Sequence, residues 1–154
     1  MSGFSVVVGE PCELNLLVDH RLSMWKEIFP EIAAEVEFSG EATRIWISAK
    51  LRQGTLISFV ARSSEGTVAG SGCLLIKEDQ PRPTSRTVYN PYLMSMFTEK
   101  GFRKQGVATM ITREAIAWCR KHGYDRMTLH ASSAGRHVYE KLGFEQTNEM
   151  RLLL

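Results

Sequence analysis

The chain has 154 residues, a length that predicts one domain spanning residues 1–154. Of these residues 44% are hydrophobic and 23% are charged, which is typical of a globular protein. The net charge of +2 is too small to indicate a general nucleic-acid-binding protein. The three cysteines, Cys12, Cys73 and Cys119, are odd in number and far apart, which argues against a disulfide framework or a zinc site and favours a reducing, cytoplasmic compartment.

The start of the chain and its hydropathy argue against export and against a membrane span. Residues 1–11 lack the basic and apolar regions of a signal peptide. No apolar run approaches the roughly 20 residues that a membrane-spanning helix needs. We therefore expect a protein that makes no membrane contact.

The first half of the sequence predicts a strand, two helices and a β-hairpin. Apolar residues at helical spacing indicate the first helix, which Pro30 ends. Two apolar runs on either side of a short turn indicate the hairpin. The predicted elements are a strand at 4–8, helices at 13–29 and around 41–53, and strands at 55–62 and 68–78.

The second half predicts alternating strands and helices after a proline-rich loop. The predicted elements are a loop at 79–91, a strand at 92–99, a helix at 106–121, a strand at 126–131, a short helix at 135–142, and a final strand pair that starts at Phe144 and ends in EMRLLL. A strand–helix–strand crossover joins parallel strands, whereas a hairpin joins antiparallel ones. We therefore expect an α/β fold with a single mixed, mostly antiparallel central sheet flanked by helices.

The segment GFRKQG, residues 101–106, lies between a predicted strand and a predicted helix and places two cations at the helix start. The first turn of a helix has unpaired N–H groups and a positive dipole end, so cations are mildly unfavourable there and anions are favoured. Gly106 would let a ligand approach the backbone without meeting a Cβ atom. The charges of Arg103 and Lys104 are therefore either incidental or a sign that an anion binds at this junction.

Two kinds of phosphate-binding loop fit parts of this segment. The GxxxxG of a nucleotide-triphosphate loop is present, but Val107 and Ala108 stand where that loop has lysine and serine or threonine, which excludes it. The other pattern, (R/Q)-x-x-G-x-(G/A), is met by Arg103, Gly106 and Ala108. This pattern resembles the pyrophosphate loop of the GNAT superfamily of acyl-CoA-dependent N-acetyltransferases.

A second motif supports the same resemblance. VYEKLGF, residues 138–144, is similar to the (L/V)-Y-x-x-x-G-F signature of this superfamily, and Ser132 before it stands where an asparagine is more usual. The resemblance is specific over residues 92–144 and general over the first 60 residues. It implies the GNAT-like acyltransferase fold, acetyl-CoA as the acyl-donor cosubstrate, and no metal.

The resemblance also implies roles for particular residues. A gap between the strands at 92–99 and 126–131 would hold the pantetheine of coenzyme A. A backbone N–H near Met96 would polarise the thioester carbonyl, and Tyr139 would protonate the leaving thiolate as the catalytic acid. The implied cofactor-binding residues are Met96, Phe97, Thr98, Arg103, Lys104, Gln105, Gly106, Val107, Ala108, Thr109, Ser132, Arg136 and Tyr139.

Ordinary structural roles for several of these residues stay open. Tyr139 also fits a core tyrosine on an amphipathic helix, Ser132 or Ser133 fits a helix N-cap, and Arg136 fits a solvated side chain. The attacking amine must be neutral, so a base or a water chain is expected near the helices of the first half. The candidate bases are Asp19, His20, Glu27, Glu35 and Glu37.

Three functions fit the sequence. The first is an N-acetyltransferase that moves an acetyl group from acetyl-CoA to a primary amine of a small molecule or peptide, by direct attack in a ternary complex. The second is a non-catalytic acyl-CoA-binding domain of the same fold, and the third is a regulatory domain that binds no coenzyme A. Tyr139 favours the first over the second, and the loop at 103–108 favours both over the third. The expected partner is the amine substrate, without nucleic acid or membrane, and the resemblance leaves a homodimer open.

Overall fold

The computed structural model describes residues 3–9 and 13–154 of the chain. Within these residues, no helix has the length and apolar character to cross a membrane. The strands are β1 (Phe4–Val8), β2 (Leu56–Ser63), β3 (Val68–Glu78), β4 (Tyr89–Thr98) and β5 (Thr128–Leu129). The helices are α1 (Leu14–Ile28), α2 (Ala33–Phe38), α3 (Gly40–Arg52), α4 (Val107–Lys121) and α5 (Arg136–Lys141), with 3₁₀ turns at Pro30–Ile32 and Lys100–Phe102.

The five strands form one mixed sheet whose order follows the chain. Pairing is antiparallel from β1 to β4, and β4 pairs with β5 in parallel because α4 connects them as a crossover. The parallel ladder is short, since among the described residues only Tyr92 with Thr128 and Leu93 with Leu129 are paired. The expected α/β fold with a single, mostly antiparallel central sheet is confirmed.

Two apolar clusters hold helices against the two faces of the sheet. Alternation along β3 directs Leu74 to the face that α4 covers, here termed the α4 face, and Cys73 to the face that α1 and α3 cover, the α1 face. The α4-face cluster includes Phe59, Leu74, Leu93, Val107, Ile111, Ala115, Cys119 and Tyr139. The α1-face cluster includes Leu17, Val18, Leu22, Val36, Ile47, Leu56 and Cys73. Each buried Leu, Ile or Val side chain contributes roughly 1.5–3 kcal/mol, so the site described below rests on a well-anchored sheet.

Two expectations about the C-terminal part are wrong. The strand predicted at 126–131 is reduced to Thr128–Leu129, and the strand pair predicted from Phe144 onwards is not formed, since residues 144–154 contain no helix or strand. Met150 and Leu152 alternate as they would in a strand, but they are 94% and 81% exposed. A strand needs a neighbour for its N–H and C=O groups, and β5 is too short to provide one.

The chain between α1 and α3 also differs from the prediction. Pro30 ends α1, but it then opens a 3₁₀ turn that leads into the unpredicted helix α2. Proline suits the first position of a helical turn because the N–H that it lacks would have no partner there. β4 begins at Tyr89 and not at residue 92, because Asn90 and the residue after it already pair with β3.

Candidate active site

β4 changes its pairing partway along, at a bulge centred on Ser95. The register with β3 shifts between Ser71 and Cys73, so that two residues of β4 lie opposite Gly72. Ser95 has a φ of +55°, a left-handed conformation that is uncommon for a residue other than glycine. The parallel ladder with β5 has already stopped at Leu93. From the bulge onwards, β4 therefore has an open edge on the β5 side.

The predicted pantetheine contacts Met96, Phe97 and Thr98 follow this bulge. Met96 packs with the α4-face cluster, while Phe97 lies on the α1 face with its ring 4.8 Å from the imidazole of His20. The carbonyl of Thr98 accepts a hydrogen bond from Nε of Arg103 at 3.0 Å. The side chains of Met96 and Phe97 thus point to different faces of the sheet. A ligand that lies along this strand edge would therefore contact the backbone of both residues and not both side chains.

After β4 the chain turns through two left-handed residues into α4. Lys104 has a φ of +62° and Gly106 a φ of +83°. A Cβ atom at Gly106 would meet no atom within 4 Å, so open space adjoins this residue. The first hydrogen bond of the helix runs from the Met110 N–H to the Gly106 carbonyl, and no side chain caps the helix. The N–H groups of residues 107–109 therefore have no acceptor within the helix.

Arg103 and Lys104 have different surroundings, although the sequence predicts the same role for both. Nη2 of Arg103 donates to both carboxylate oxygens of Glu27 on α1, at 2.9 and 2.8 Å. The two side chains are 40% and 38% exposed. Lys104 makes no ion pair with any residue in the ranges that the structure describes. The carboxylate of Glu27 thus neutralises the charge of Arg103, whereas the charge of Lys104 can interact with solvent or with a ligand.

The other predicted loop residues have separate environments. Gln105 is exposed and donates from Nε2 to the Gly101 carbonyl at 3.1 Å. Val107 is a core residue of the α4-face cluster. Ala108 and Thr109 are half-buried in the first turn of α4. Their side chains have structural surroundings, so their N–H groups are the parts suited to anion binding.

Tyr139 lies on α5 within the α4-face cluster, with 9% of its surface exposed. Its ring packs edge-on against Phe144, with 5.8 Å between the ring centroids. Burial raises the pKa of the Tyr139 hydroxyl above its ordinary value, so the phenol is protonated at neutral pH. The core position that the sequence left open is therefore observed, and the protonation state is the one that a general acid requires.

Ser132 shapes the turn that leads into α5. Its Oγ accepts the Gly135 N–H at 3.2 Å, and its carbonyl accepts the Arg136 N–H at 3.0 Å. A Cβ atom at Gly135 would lie 3.3 Å from Ser132 Oγ and 3.4 Å from the Tyr139 ring, which places these residues together. The guanidinium of Arg136 donates to Gln146 at 3.0 Å. Ser132 thus lies beside Tyr139, while Arg136 is directed to the C-terminal segment.

Polar contacts that join α1 to β3 and to the end of β4 have no counterpart in the sequence-based prediction. His20 is buried, with Nδ1 2.8 Å from Ser71 Oγ and Nε2 3.0 Å from Glu99 Oε1. Nη1 of Arg21 donates to Ser95 Oγ at 2.8 Å. The signal available in the sequence was a serine inside each of two apolar strands, which indicates that a polar partner reaches the strand from elsewhere.

The five candidate bases lie in different environments. Glu27 and Glu37 form ion pairs with basic side chains. Asp19 and Glu35 are exposed and form no such pair among the described residues. His20 is buried, and it reaches the surface through Glu99, whose side chain is 45% exposed. In the described part of the chain, no three His, Cys, Asp or Glu side chains form a group that could hold a metal ion.

Comparison with known proteins gives one family and many similar structures. The family model described as acetyltransferase (GNAT) family matches residues 18–144. A GCN5-related N-acetyltransferase from Ralstonia eutropha JMP134 is 22% identical with a TM-score of 0.87, and the match covers 99% of each chain. A predicted acetyltransferase from Clostridium acetobutylicum, solved with acetyl-CoA, is 22% identical with a TM-score of 0.85 over 98% of this chain and 96% of that one. Aminoglycoside N-acetyltransferase AAC(6')-Iy, in complex with CoA, is 20% identical with a TM-score of 0.71 over 100% and 95%. The search of curated proteins found no match.

Proposed function

Because the chain belongs to the acetyltransferase (GNAT) family, we propose that it moves an acetyl group from acetyl-CoA to a primary amine of a small molecule or peptide. In this proposal residues 1–154 act as one domain. The observation that carries it is the open edge of β4 at the Ser95 bulge, followed directly by the uncapped start of α4. A strand edge suits the amide groups of pantetheine, and a helix start suits a diphosphate.

The start of α4 would bind the diphosphate of coenzyme A through the N–H groups of residues 107–109. Lys104 adds a positive charge for which the described residues supply no counter-ion, and Gly106 leaves the space that a phosphate needs. Arg103 is bound to Glu27, so we assign to it the positioning of the loop against α1 as well as a share of the positive potential. N–H and ammonium groups are the donors that an anionic diphosphate requires, so these residues fit the ligand.

Acetyl-CoA supplies the acetyl group as a thioester. The backbone of Met96 and Thr98 would pair with its pantetheine amides, and the Met96 N–H would donate to the thioester oxygen. In a ternary complex the amine nitrogen attacks the carbonyl carbon directly while the C–S bond breaks. Tyr139 donates its phenolic proton to the departing sulfur, and the proton lost by the amine passes to a base or to water. Burial raises the pKa of Tyr139, which keeps this proton in place until it is needed.

The test is an amine panel with purified protein and acetyl-CoA, in which mass spectrometry detects the acetylated product and calorimetry measures acetyl-CoA binding. Product detection shows which amine carries the acetyl group, whereas a thiol-release assay shows only that acetyl-CoA has been consumed. We expect saturable binding and acetylation of at least one class of amine well above the uncatalysed rate. Binding without acetylation of amino acids, polyamines, amino sugars and peptides would instead indicate an acyl-CoA-binding domain. Absence of binding would contradict both functions.

A further inference from the structure

A cationic cluster lies on the α1 face beside the bulge in β4. Arg21 reaches from α1 to the strand, where its Nη1 donates to Ser95 Oγ at 2.8 Å. The guanidinium carbon lies 5.8 Å from the centroid of the Trp25 ring, and Tyr92 lies on β4 three residues before Ser95. These four residues, Arg21, Trp25, Tyr92 and Ser95, are termed the Arg21 cluster.

The Arg21 cluster adjoins the proposed reaction centre on the side opposite to Tyr139. Ser95 directly precedes Met96, whose N–H is the proposed donor to the thioester oxygen, and consecutive Cα atoms lie about 3.8 Å apart. Tyr139 belongs to the α4-face cluster, whereas Arg21 extends from α1 on the other face. An amine that attacks from the α1 face therefore has Arg21 beside it and the departing sulfur on the far side.

Arg21 is half-buried, and the hydrogen-bond partner that the protein provides is a neutral hydroxyl. Burial lowers the pKa of its guanidinium, and the nearby Cys73 and Tyr92 are uncharged at neutral pH. No carboxylate of the described residues pairs with Arg21, although four other arginines have acidic partners: Arg62 with Glu13, Arg82 with Asp79, Arg103 with Glu27 and Arg126 with Asp125. A half-buried cation without a counter-ion is costly, so this position suits an anion from outside the chain.

The shape of the cluster restricts the anion that it would bind. A guanidinium presents five N–H donors in a planar fork that matches a carboxylate through two parallel hydrogen bonds. Ser95 accepts from one nitrogen of Arg21, which leaves most of the fork for a ligand. Because Ser95 and Met96 are neighbours, an anion on Arg21 and an amine at the thioester would be only a few bonds apart in the same molecule.

We propose that the acceptor is a small, amino-acid-like amine with a carboxylate a few bonds from the reacting nitrogen, and that Arg21 binds this carboxylate. The inference rests on the proposed acetyl transfer and adds the class of acceptor to it. Arg21 holds the carboxylate, and this contact directs the amine nitrogen at the carbonyl carbon beside Met96.

The test compares matched acceptors: an α-amino acid, its carboxamide, the amine without the carboxyl group, and an aminoalkyl phosphate, with rates corrected for the neutral fraction of each amine. We expect kcat/KM for the acid to exceed that for the amide at least tenfold. Arg21→Gln should abolish this preference by lowering the value for the acid alone, and Arg21→Lys should retain part of it. Acetyl-CoA binding, measured by calorimetry, should be the same in all variants. Arg44→Gln is the control, since Arg44 also hydrogen-bonds a neutral side chain, that of Asn15, and its loss should leave the preference intact.

Equal values for acid and amide, or a preference that survives Arg21→Gln, contradict the proposal. A preference for the aminoalkyl phosphate also overturns it and assigns the cluster to phosphate. Thermal shifts of the CoA complex give a second readout that needs no turnover. If no amine is acetylated, but the acid raises Tm through Arg21 and the amide does not, the anion site stands and the proposed transferase fails. If neither effect occurs, both fail.

Discussion

Removing the hydroxyl group of Tyr139 tests its proposed role as an acid without changing its role in packing. Tyr139→Phe keeps the ring against Phe144 and removes only the proton donor. General acids typically contribute ~10²–10⁴-fold, so we expect kcat to fall about 100-fold or more, with KM for acetyl-CoA within about twofold. Steady-state kinetics measure both values. Tyr124→Phe, which alters a tyrosine stacked on Trp118, is the control and should keep kcat. An unchanged kcat in Tyr139→Phe limits Tyr139 to the core.

The pH dependence of kcat in the wild-type protein and in Tyr139→Phe tests the protonation state of the Tyr139 phenol. Burial raises the pKa of Tyr139 from its ordinary value of 10.0. The ratio of wild-type kcat to that of Tyr139→Phe should therefore stay constant from about pH 6 to about pH 9.5, because titration of the amine cancels in the ratio. Because the pKa of Tyr139 is higher in the folded than in the unfolded protein, its contribution to the free energy of unfolding is fully present below the unfolded pKa. This contribution is lost as the pH rises through the folded pKa. A ratio that falls between pH 7 and pH 9 would contradict the proposed acid.

The buried thiols of Cys73 and Cys119 should be inert in the native protein. Burial raises the pKa of Cys73 to about 12 and that of Cys119 to about 11, so little thiolate forms at neutral pH. In a Cys12→Ser variant these two are the remaining thiols. We expect Ellman's reagent to react slowly with this variant and to detect both thiols rapidly once guanidinium unfolds it. Rapid labelling of the native variant would show that one of the two thiols is accessible.

Residues that are contiguous in the chain could be identified from the sequence, whereas residues that meet across the fold could not. The loop from Arg103 to Ala108 is a short pattern with fixed spacing, and so is the motif around Tyr139. The contacts of Arg21 with Ser95 and of Arg103 with Glu27 join residues 74 and 76 positions apart. Their pairing depends on how α1 packs against the sheet, which no local pattern encodes. The proposed acceptor side is for this reason the part that only the structure provides.

The same distinction holds for whole elements. α1, α4 and the hairpin strands β2 and β3 carry their own periodicity, and each was predicted close to its observed limits. The C-terminal segment also alternates, but a strand there depends on an edge that β5, with two paired residues, does not extend. Periodicity indicates which side of a segment is apolar, and it does not show whether a backbone partner is available.

The close approach of β3 and β4 at the site depends on Gly70. A Cβ atom there would lie 2.6 Å from the Phe97 carbonyl oxygen, and the backbone would have to move to relieve this contact. We expect Gly70→Ala to lower the free energy of unfolding by roughly 1–3 kcal/mol and to weaken acetyl-CoA binding, because residues after the bulge shift. Urea unfolding and calorimetry measure the two effects. Gly101→Ala is the control, since a Cβ atom there meets nothing within 4 Å, and equal losses in both variants would contradict the steric cause.

Across the whole molecule, α1 connects the two sides of the proposed site. Three polar contacts run from α1 to the end of β4 and the loop that follows: His20 with Glu99, Arg21 with Ser95, and Glu27 with Arg103. The helix that would cover the acceptor is thereby attached to the segment that would bind acetyl-CoA.

The rise in Tm that acetyl-CoA causes can show whether Lys104 contacts the ligand or has only a structural role. A ligand at 100 times its Kd stabilises the folded state by about 2.7 kcal/mol, which raises Tm by about 5–10 °C for a domain of this size. Lys104 adopts a φ of +62°, a conformation that costs a non-glycine residue roughly 1–2 kcal/mol. Glycine adopts it freely but loses more entropy on folding, so the two effects nearly offset each other.

We therefore expect Lys104→Gly to leave Tm of the free protein within about 3 °C and to reduce the shift caused by acetyl-CoA. Loss of one exposed phosphate contact worth about 1 kcal/mol weakens binding about fivefold, and the difference from wild type should narrow as salt is added. Lys121→Ala, which removes the same charge from the other end of α4, should keep the full shift. A full shift in Lys104→Gly at low salt would mean that the charge at the helix start is incidental and that backbone N–H groups alone bind the diphosphate.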